Sequence, residues 1–97
     1  FATIAASSSG NTTVVTAVTS KKIRVLRFTL ISNGSVNVKF RSSTGGDITG
    51  SMPTQQYSGT GAAFCPVGVF ETVAGETLQI NLDSAVSVGG FLTYVEV

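Results

Sequence analysis

Apolar and polar residues alternate in short segments along this chain of 97 residues. In SVNVKFRS, the residues Val36, Val38 and Phe40 alternate with polar side chains. In TLQINL, residues 77–82, every second residue is a Leu or an Ile. This period of two is typical of a strand that buries one face. Good helix formers are nowhere grouped at helical spacing, whereas Val, Ile, Thr and Phe are frequent, so the pattern predicts an all-β chain.

Turn-forming residues divide the chain into candidate strands. Clusters of Gly, Asn, Asp and Ser separate the apolar segments, as they do in sandwiches and barrels. We predict strands at residues 2–6, 12–18, 23–32, 35–42, 48–52, 77–82 and 86–97, and a further strand around Phe64 that ends at Pro66. PTQQYSGTG is predicted to be a loop, and VGVFETV stays open because Glu71 interrupts it. A bulge or bend is predicted at Gly89-Gly90.

The dipeptide Asn33-Gly34 separates two of these strands. Both residues tolerate the positive φ angles of a type I′ turn, so the sequence predicts a tight hairpin between the flanking strands. In that pairing Arg27 lies opposite Phe40. A one-residue bulge would exchange the two faces of the hairpin, so its basic side chains are not assigned to a single face.

The spacing of the turns indicates about eight or nine strands and no helix. We predict a single domain over residues 1–97, an antiparallel β-sandwich of jelly-roll type, with an up-and-down barrel as the alternative. The Ala- and Ser-rich residues 1–10 are compatible with a first strand, with a frayed terminus, and with an extended arm that becomes ordered on a partner. All three interpretations stay open.

The composition points to a covered surface. Hydrophobic residues make up 42% of the chain and charged residues only 11%, whereas charged residues make up about 25% of an average soluble domain. A domain of this size buries only about two-thirds of the surface of its unfolded chain, so its core is small. We therefore expect a partner, or other copies of the chain, to cover part of the surface. No apolar segment reaches the roughly 20 residues of a membrane-spanning helix, and no membrane partner is predicted.

The sequence contains few of the residue types that usually act in catalysis. It contains no His, the commonest general base and metal ligand, so the single Cys65 lacks an imidazole partner. We expect Cys65 to be a small core or interface residue. Glu71 and Glu76 are a candidate carboxylate pair for glycoside hydrolysis, but they flank Ala74-Gly75 and are equally compatible with charges at a turn. No enzymatic activity, cofactor or metal is predicted.

All six basic residues fall in one stretch, KKIRVLRFTLISNGSVNVKFR, and all five acidic residues follow it. The basic residues, which are our candidates for partner binding, are Lys21, Lys22, Arg24, Arg27, Lys39 and Arg41. Either these charges protect two apolar strands against edge aggregation, or they form a positive patch for an acidic protein surface. Such a surface includes the acidic second half of a neighbouring copy. Nucleic acid is not predicted, because the pI is near 8.1 and no aromatic stacking platform is evident.

Three passages carry a resemblance to a known group of proteins. They are the Ser- and Thr-rich start, the basic KKIRVLRFTLISNGSVNVKFRS, and CPVGVFETVAGETLQINLDSAVSVGGFLTYVEV, in which GET leads into LQINL. With these passages the sequence resembles small β-rich structural proteins of tailed bacteriophages, including capsid decoration (cement) proteins. The resemblance extends over nearly the full chain and contains no catalytic signature.

The resemblance implies a jelly-roll-like module on the outer surface of an icosahedral virion. Such a module is commonly a homotrimer and strengthens the junctions between subunits of the major capsid protein. We expect the trimer contact on the last strand and VGVF, with Phe70 and Tyr94 as oligomer-interface residues. Phe91 is a further candidate, but a core position is the better prediction for it. Self-association suits a small domain because it hides apolar surface that folding alone leaves in water.

The leading hypothesis is a non-enzymatic viral structural protein that decorates and stabilises the outside of a phage capsid by bridging coat subunits. The alternative is a phage tail or fibre component or a carbohydrate-binding module. Carbohydrate binders usually expose aromatic rings, and this chain has no Trp and only two Tyr. One of them, Tyr57, lies beside amides in PTQQYSGTG, which keeps the alternative open. A hydrolase that uses Glu71 and Glu76 is the third hypothesis.

Overall fold

The structure is a computed structural model that describes residues 1–57, 59–63 and 65–97. These residues form ten strands, and no helix occurs among them. The strands are β1 (Ala2–Ala6), β2 (Gly10–Val15), β3 (Ile23–Ser32), β4 (Val36–Ser42), β5 (Gly46–Asp47), β6 (Met52–Thr54), β7 (Gly59–Ala62), β8 (Phe70–Glu71), β9 (Leu78–Leu82) and β10 (Val88–Glu96). The predicted all-β class is confirmed.

The strands form two antiparallel sheets. In sheet A the strand order is β1-β10-β3-β7, with β8 also paired to β3, and in sheet B it is β2-β9-β4-β5, with β6 also paired to β4. The sheets pack face to face around one core, which confirms the predicted sandwich and contradicts the up-and-down barrel. The chain changes sheet at most of its connections, and the jelly-roll form stays a prediction that this alternation supports.

The core lies between the inner faces of the two sheets. In β4 the buried apolar residues are Val36, Val38 and Phe40, as the alternation predicted. In β9 every second residue from Leu78 to Leu82 is buried, again as predicted. A strand in a two-layer sandwich has one face on the core and one face outward, so this period of two follows directly from the architecture.

Three phenylalanine rings connect the two sheets. Phe28 of β3 lies edge-on to Phe40 of β4, with ring centroids 5.1 Å apart. The ring of Phe70 in β8 contacts both, at 6.0 Å from Phe28 and 5.1 Å from Phe40. Ring pairs at such separations add roughly 0.5–1.5 kcal/mol beyond the burial of their area. The cluster therefore ties β3 and β8 of sheet A to β4 of sheet B.

The predicted hairpin at Asn33-Gly34 is wrong. β3 belongs to sheet A and β4 to sheet B, so the strands on either side of this dipeptide do not pair. The amide of Asn33 donates to the carbonyl of Ser87, in the segment that leads into β10. Each strand buries one face, and crossing between the sheets lets these two faces pack against each other. Arg27 and Phe40, the predicted neighbours, therefore lie in different sheets.

The irregularity of β10 also lies elsewhere than predicted. Its pairing with β3 is continuous through Gly89 and Gly90, and it shifts between Thr93 and Tyr94. At the shift Leu26 is the extra residue of β3, which makes a β-bulge. As a consequence the alternation of buried residues along β3 moves by one position at this point.

The first strand has the predicted bounds, whereas the second overlaps its predicted range only in part. β1 covers the predicted Ala2–Ala6, pairs with β10 and buries Ile4. These residues are a strand of sheet A, so the arm interpretation does not apply to them. β2 begins at Gly10 and ends at Val15, earlier at both ends than the predicted 12–18.

The middle of the chain differs most from the predictions. Residues 48–51 do not form the predicted strand, which is replaced by the short β5 before them and by β6 after them. PTQQYSGTG, predicted as a loop, contributes to β6 and β7, and VGVFETV contains only the short β8. The strand predicted around Phe64 centres on a residue outside those that the structure describes. Pairing with β3 and β4, rather than local alternation, defines these short strands.

Candidate interaction surfaces

On the outer side of sheet A, two rows of residues run across β1, β10, β3 and β7. Neither row contains a charged side chain. We call this surface the uncharged face; it consists of Thr3, Ala5, Thr29, Ile31, Gly59, Gly61, Gly89 and Phe91. Ile31 and Phe91 are its two large apolar side chains, 55% and 40% exposed. The other residues are small, so they leave the backbone and these two side chains accessible to a partner.

Arg27 borders the uncharged face. It pairs with Thr93 of β10, and its guanidinium carbon lies 5.2 Å from the centre of the Phe91 ring. A cation–π contact of this kind contributes about 0.5–1 kcal/mol at an exposed site. The basic residue next to the uncharged face is therefore held against an aromatic ring of that face.

Sheet B has an outer face of the opposite character. The register places Asn81 of β9 between Asn11 of β2 and Lys39 of β4. Nδ2 of Asn81 donates to Oδ1 of Asn11 at 2.7 Å. A neighbouring row of the same face contains Gln79 and Arg41. The outer side of sheet B thus carries amide and charged side chains, in contrast to the uncharged face of sheet A.

The six residues predicted to bind a partner do not form one patch. Arg24 and Arg27 lie on the outer side of sheet A, whereas Lys39 and Arg41 lie on the outer side of sheet B. The chain crosses between the sheets after β3, so residues that are close in sequence lie on opposite sides of the sandwich. The structure brings the basic residues together only in pairs.

Glu71 of β8 forms ion pairs with the two basic groups at the start of β3. Its Oε2 lies 3.2 Å from Nζ of Lys22, and its Oε1 accepts a hydrogen bond from Nη2 of Arg24 at 3.3 Å. The hydrogen bond from Lys22 is the largest cause that lowers the pKa of Glu71 below its ordinary value, and Arg24 adds to it against an opposing effect of desolvation. Solvent reaches all three side chains, so their ion pairs add little stability.

Asp47 of β5 forms ion pairs with the two basic groups of sheet B. Its Oδ2 lies 3.0 Å from Nζ of Lys39, and its Oδ1 lies 4.0 Å from Nη1 of Arg41. In the described part of the chain, Lys21 and Arg27 are the basic residues that form no ion pair with a carboxylate. Four of the six basic residues are thus ion-paired within the molecule, with one carboxylate shared by each pair.

The predicted oligomer-interface residues, Phe70 and Tyr94, are both half-buried and pack against the core. The ring of Phe70 is already in contact with two other rings of the aromatic cluster. The core position predicted for Phe91 is wrong, because this ring lies on the outer side of sheet A. Its neighbour Leu92 takes the buried position, and Phe91 therefore points outward.

Glu71 and Glu76, the candidate carboxylate pair, are each engaged by other groups. Oε1 of Glu76 accepts hydrogen bonds from Oγ of Ser42 at 2.7 Å and from the amides of Thr44 and Gly45 at 2.8 and 2.6 Å. These bonds, that of Ser42 first, lower the pKa of Glu76. A general acid in glycoside hydrolysis needs a raised pKa, and here the pKa of both glutamates is lowered.

Cys65 is half-buried, and its amide donates to the carbonyl of Leu26 at 2.9 Å. Among the residues that the structure describes, no group of three or more Cys, Asp or Glu side chains is arranged to hold a metal ion. The same residues contain no helix of the length and hydropathy needed to cross a membrane.

The fold and its surfaces define a class of protein: an antiparallel β-sandwich with the uncharged face on the outer side of one sheet and with amides and charges on the outer side of the other. No protein-family model, curated protein or solved structure matches the chain. The case for a particular function therefore rests on these two surfaces and on the sequence passages quoted above.

Proposed function

We propose that this chain is a non-enzymatic viral structural protein that decorates the outside of a phage capsid and stabilises it by bridging coat subunits. In this proposal the uncharged face binds the major capsid protein. The observation that carries the proposal is the contrast between the uncharged face, which is part of the outer side of sheet A, and the outer side of sheet B, which is covered by amides and charges.

The uncharged face is suited to contact with another protein. Phe91 and Ile31 offer apolar surface, and each Å² of it that is removed from water contributes about 25 cal/mol. The small residues around them, such as Ala5 and Gly89, let a partner approach the backbone closely. Because this face contains no charged group that would lose its water on binding, desolvation costs little.

The outer face of sheet B is suited to solvent. Its charged groups are paired with each other, as Lys39 is with Asp47, and its amides bond to each other, as Asn11 does with Asn81. A decoration protein contacts the capsid on one side and solvent on the other. The two outer faces of this sandwich match those two environments.

The basic residues have a restricted role in this proposal. Glu71 and Asp47 form ion pairs with four of the six, which leaves Lys21 and Arg27 unpaired for acidic groups of a partner. Arg27 borders the uncharged face, so it reaches the same partner as Phe91 does. Binding then relies on apolar burial with a minor charge contribution, and we expect it to depend only weakly on salt.

Multivalent binding to repeated sites on the capsid adds to the affinity. A shell offers many equivalent sites, and linked copies bind such sites far more tightly than a single copy does. The homotrimer implied by the resemblance is part of this proposal, because it links three copies over neighbouring coat subunits. Tyr94 is the better of the two predicted anchors for contact between copies, since the ring of Phe70 is already occupied within the chain.

The test places a negative charge on each outer face in turn. Gly89→Glu adds a carboxylate to the uncharged face, where a Cβ meets no atom closer than 3.9 Å. Thr13→Glu is the matched control, because Thr13 is exposed on the outer side of sheet B. Each variant is added to virus particles from which the protein has been removed, and quantitative mass spectrometry counts the bound copies per particle.

We expect the unmodified chain and Thr13→Glu to bind in numbers close to that of the major capsid protein. Gly89→Glu should bind about tenfold more weakly, which corresponds to about 1.4 kcal/mol. Equal binding of the two variants would reject the uncharged face as the contact. A handful of copies of the unmodified chain per particle would assign it to the tail or a vertex, and no binding would reject capsid decoration altogether.

A further inference from the structure

A groove at one end of sheet B has the chemistry of a binding site. It lies between β4, β6 and the turn after β9, and its volume is about 330 Å³. This volume is at the lower end of the range of about 300–1,000 Å³ that ligand pockets occupy. Its lining includes the side chains of Ser35, Asn37, Pro53, Gln55, Asp83 and Ser84. The groove therefore has room for a small ligand.

The carboxylate of Asp83 is held in a fixed orientation within the groove. Its Oδ1 accepts a hydrogen bond from the backbone amide of Asn37 at 2.9 Å, and its Oδ2 accepts one from Nδ2 of Asn37 at 2.8 Å. The amide of Asp83 donates in return to the carbonyl of Asn37 at 3.3 Å. Both side chains are exposed to solvent but already ordered, so a ligand that binds them loses little affinity to ordering.

These groups retain capacity for further hydrogen bonds. A carboxylate has about four acceptor positions, and a side-chain amide has two N–H donors and an acceptor oxygen. The two bonds that Asn37 donates to Asp83, together with the longer one from Oγ of Ser84 to Oδ1 of Asp83 at 3.4 Å, use only part of this capacity. Gln55 adds a second amide and Ser35 adds a hydroxyl. A sugar hydroxyl donates and accepts at once, so neighbouring hydroxyls match this mixture of donors and acceptors.

The charge of the groove disfavours other small ligands. Of the described residues that line it, Asp83 alone is charged, so phosphate and sulfate are repelled. An ammonium group would pair with Asp83 but has only donors, so it offers no acceptor to the second side-chain N–H of Asn37 or to the side-chain amide of Gln55. A neutral ligand with several hydroxyls satisfies all three side chains.

An aromatic side chain lies in the turn that continues from the groove. Tyr57, two residues beyond Gln55, is 78% exposed. Its backbone has a φ of 59°, which is uncommon for a residue other than glycine. The amide of Tyr57 donates to the carbonyl of Ser32 at 2.9 Å and holds this turn against the end of β3. Within the groove itself, the exposed ring of Pro53 offers apolar surface to the C–H groups of a sugar.

We propose that this groove binds a neutral carbohydrate, with neighbouring hydroxyls of one sugar ring on Asp83 and Asn37 and a further hydroxyl on Gln55. The site lies at sheet B, on the side of the sandwich opposite to the uncharged face. It does not depend on the capsid proposal. A particle-bound copy would present the groove outward.

The test is a titration followed by two-dimensional ¹H–¹⁵N NMR. The probes are glucose, galactose, mannose, rhamnose and N-acetylglucosamine, with methylammonium and inorganic phosphate as comparison ligands. We expect at least one sugar to cause saturable shifts of the amides of Asn37, Gln55 and Asp83, and phosphate to cause none. Asp83→Ala and Gln55→Ala should each weaken the binding about tenfold. Asp47→Ala removes another exposed carboxylate of sheet B and should leave the binding unchanged.

Several results would overturn the proposal. No saturable shift with any of the sugars would reject a carbohydrate site. Sugar shifts that persist unchanged in both groove variants would place the binding elsewhere on the chain. A stronger response to methylammonium than to every sugar would reject the neutral ligand class. Asp83 and Gln55 are both exposed, and Gln55→Ala leaves the Asp83–Asn37 pair intact, so the fold is preserved in at least one variant.

Discussion

Gly90 of β10 lies so close to β3 that a Cβ on it would be 2.0 Å from the carbonyl oxygen of Thr29. Its neighbour Gly89 faces the other way, and there the nearest atom to a Cβ would be the carbonyl oxygen of Ile4, at 3.9 Å. Only one of these two consecutive glycines is required for the strands to approach each other. The other provides the flat part of the uncharged face.

Alanine substitutions separate the two roles. We expect Gly90→Ala to lower the free energy of unfolding by about 1–3 kcal/mol, because β3 and β10 must move apart to admit the methyl group. Gly89→Ala should change it by less than about 0.5 kcal/mol, since the added methyl group meets only solvent. Urea denaturation measures both values. Equal losses for the two variants would contradict the close approach at Gly90.

A buried threonine supports the start of β3. The hydroxyl of Thr72 accepts a hydrogen bond from the amide of Ile23 at 3.0 Å, and both residues are buried. Thr72→Val keeps the shape of the side chain but removes the acceptor. The amide of Ile23 is then buried without a partner, and we expect the free energy of unfolding to fall by about 1–3 kcal/mol.

Thr72→Ser is the control for this prediction, because it keeps the hydroxyl. Hydrogen exchange of the Ile23 amide, measured by NMR, distinguishes the two variants. We expect faster exchange in Thr72→Val than in Thr72→Ser. Exchange as slow in Thr72→Val as in the unmodified chain would show that another group satisfies this amide.

The stability of the protein should depend on pH through Glu76. Hydrogen bonds from Ser42, Thr44 and Gly45 lower the pKa of Glu76 below its ordinary value of 4.5. In acid the unfolded chain takes up this proton before the folded chain does, so the contribution of Glu76 is fully present above the unfolded pKa. It is lost as the pH falls through the lowered folded pKa.

Thermal unfolding between neutral pH and about pH 3 checks this prediction. We expect the Tm of the unmodified chain to decrease when the pH is lowered below 4.5. Glu76→Gln should lower the Tm at neutral pH and make the fall in acid smaller. Glu71, whose pKa is also lowered, accounts for part of the dependence that remains. An identical pH dependence of the Tm in Glu76→Gln would contradict the role assigned to Glu76.

Local patterns were sufficient to place several strands. The alternation of apolar residues located β4, from Val36 to Phe40, and β9, from Leu78 to Leu82, because a strand with one buried face needs this period wherever it lies. The Asn33-Gly34 dipeptide, in contrast, favours a change of direction but carries no information about the sheet that the next strand joins. That choice depends on packing between distant residues, such as the contact of Phe28 with Phe40.

The candidate surfaces depend even more on distant residues. Ala5, Ile31 and Gly89 become neighbours only through the pairing of β1, β10 and β3, and none of them is unusual in its own segment. In the groove, Asn37 and Asp83 are 46 residues apart in the sequence. The basic residues show the reverse effect, because they are close in sequence but lie on opposite sides of the sandwich.

The position of β10 between β1 and β3 has a consequence for biosynthesis. The ribosome makes β1 and β3 long before β10, so the edges that β10 will join have no partner in the growing chain. Pairing between distant strands is slow, and the unpaired strand edges favour aggregation until β10 has been synthesised and has paired. A ribosome that stalls before Val88 would therefore release an aggregation-prone chain, and sheet A is completed only after translation of its central strand.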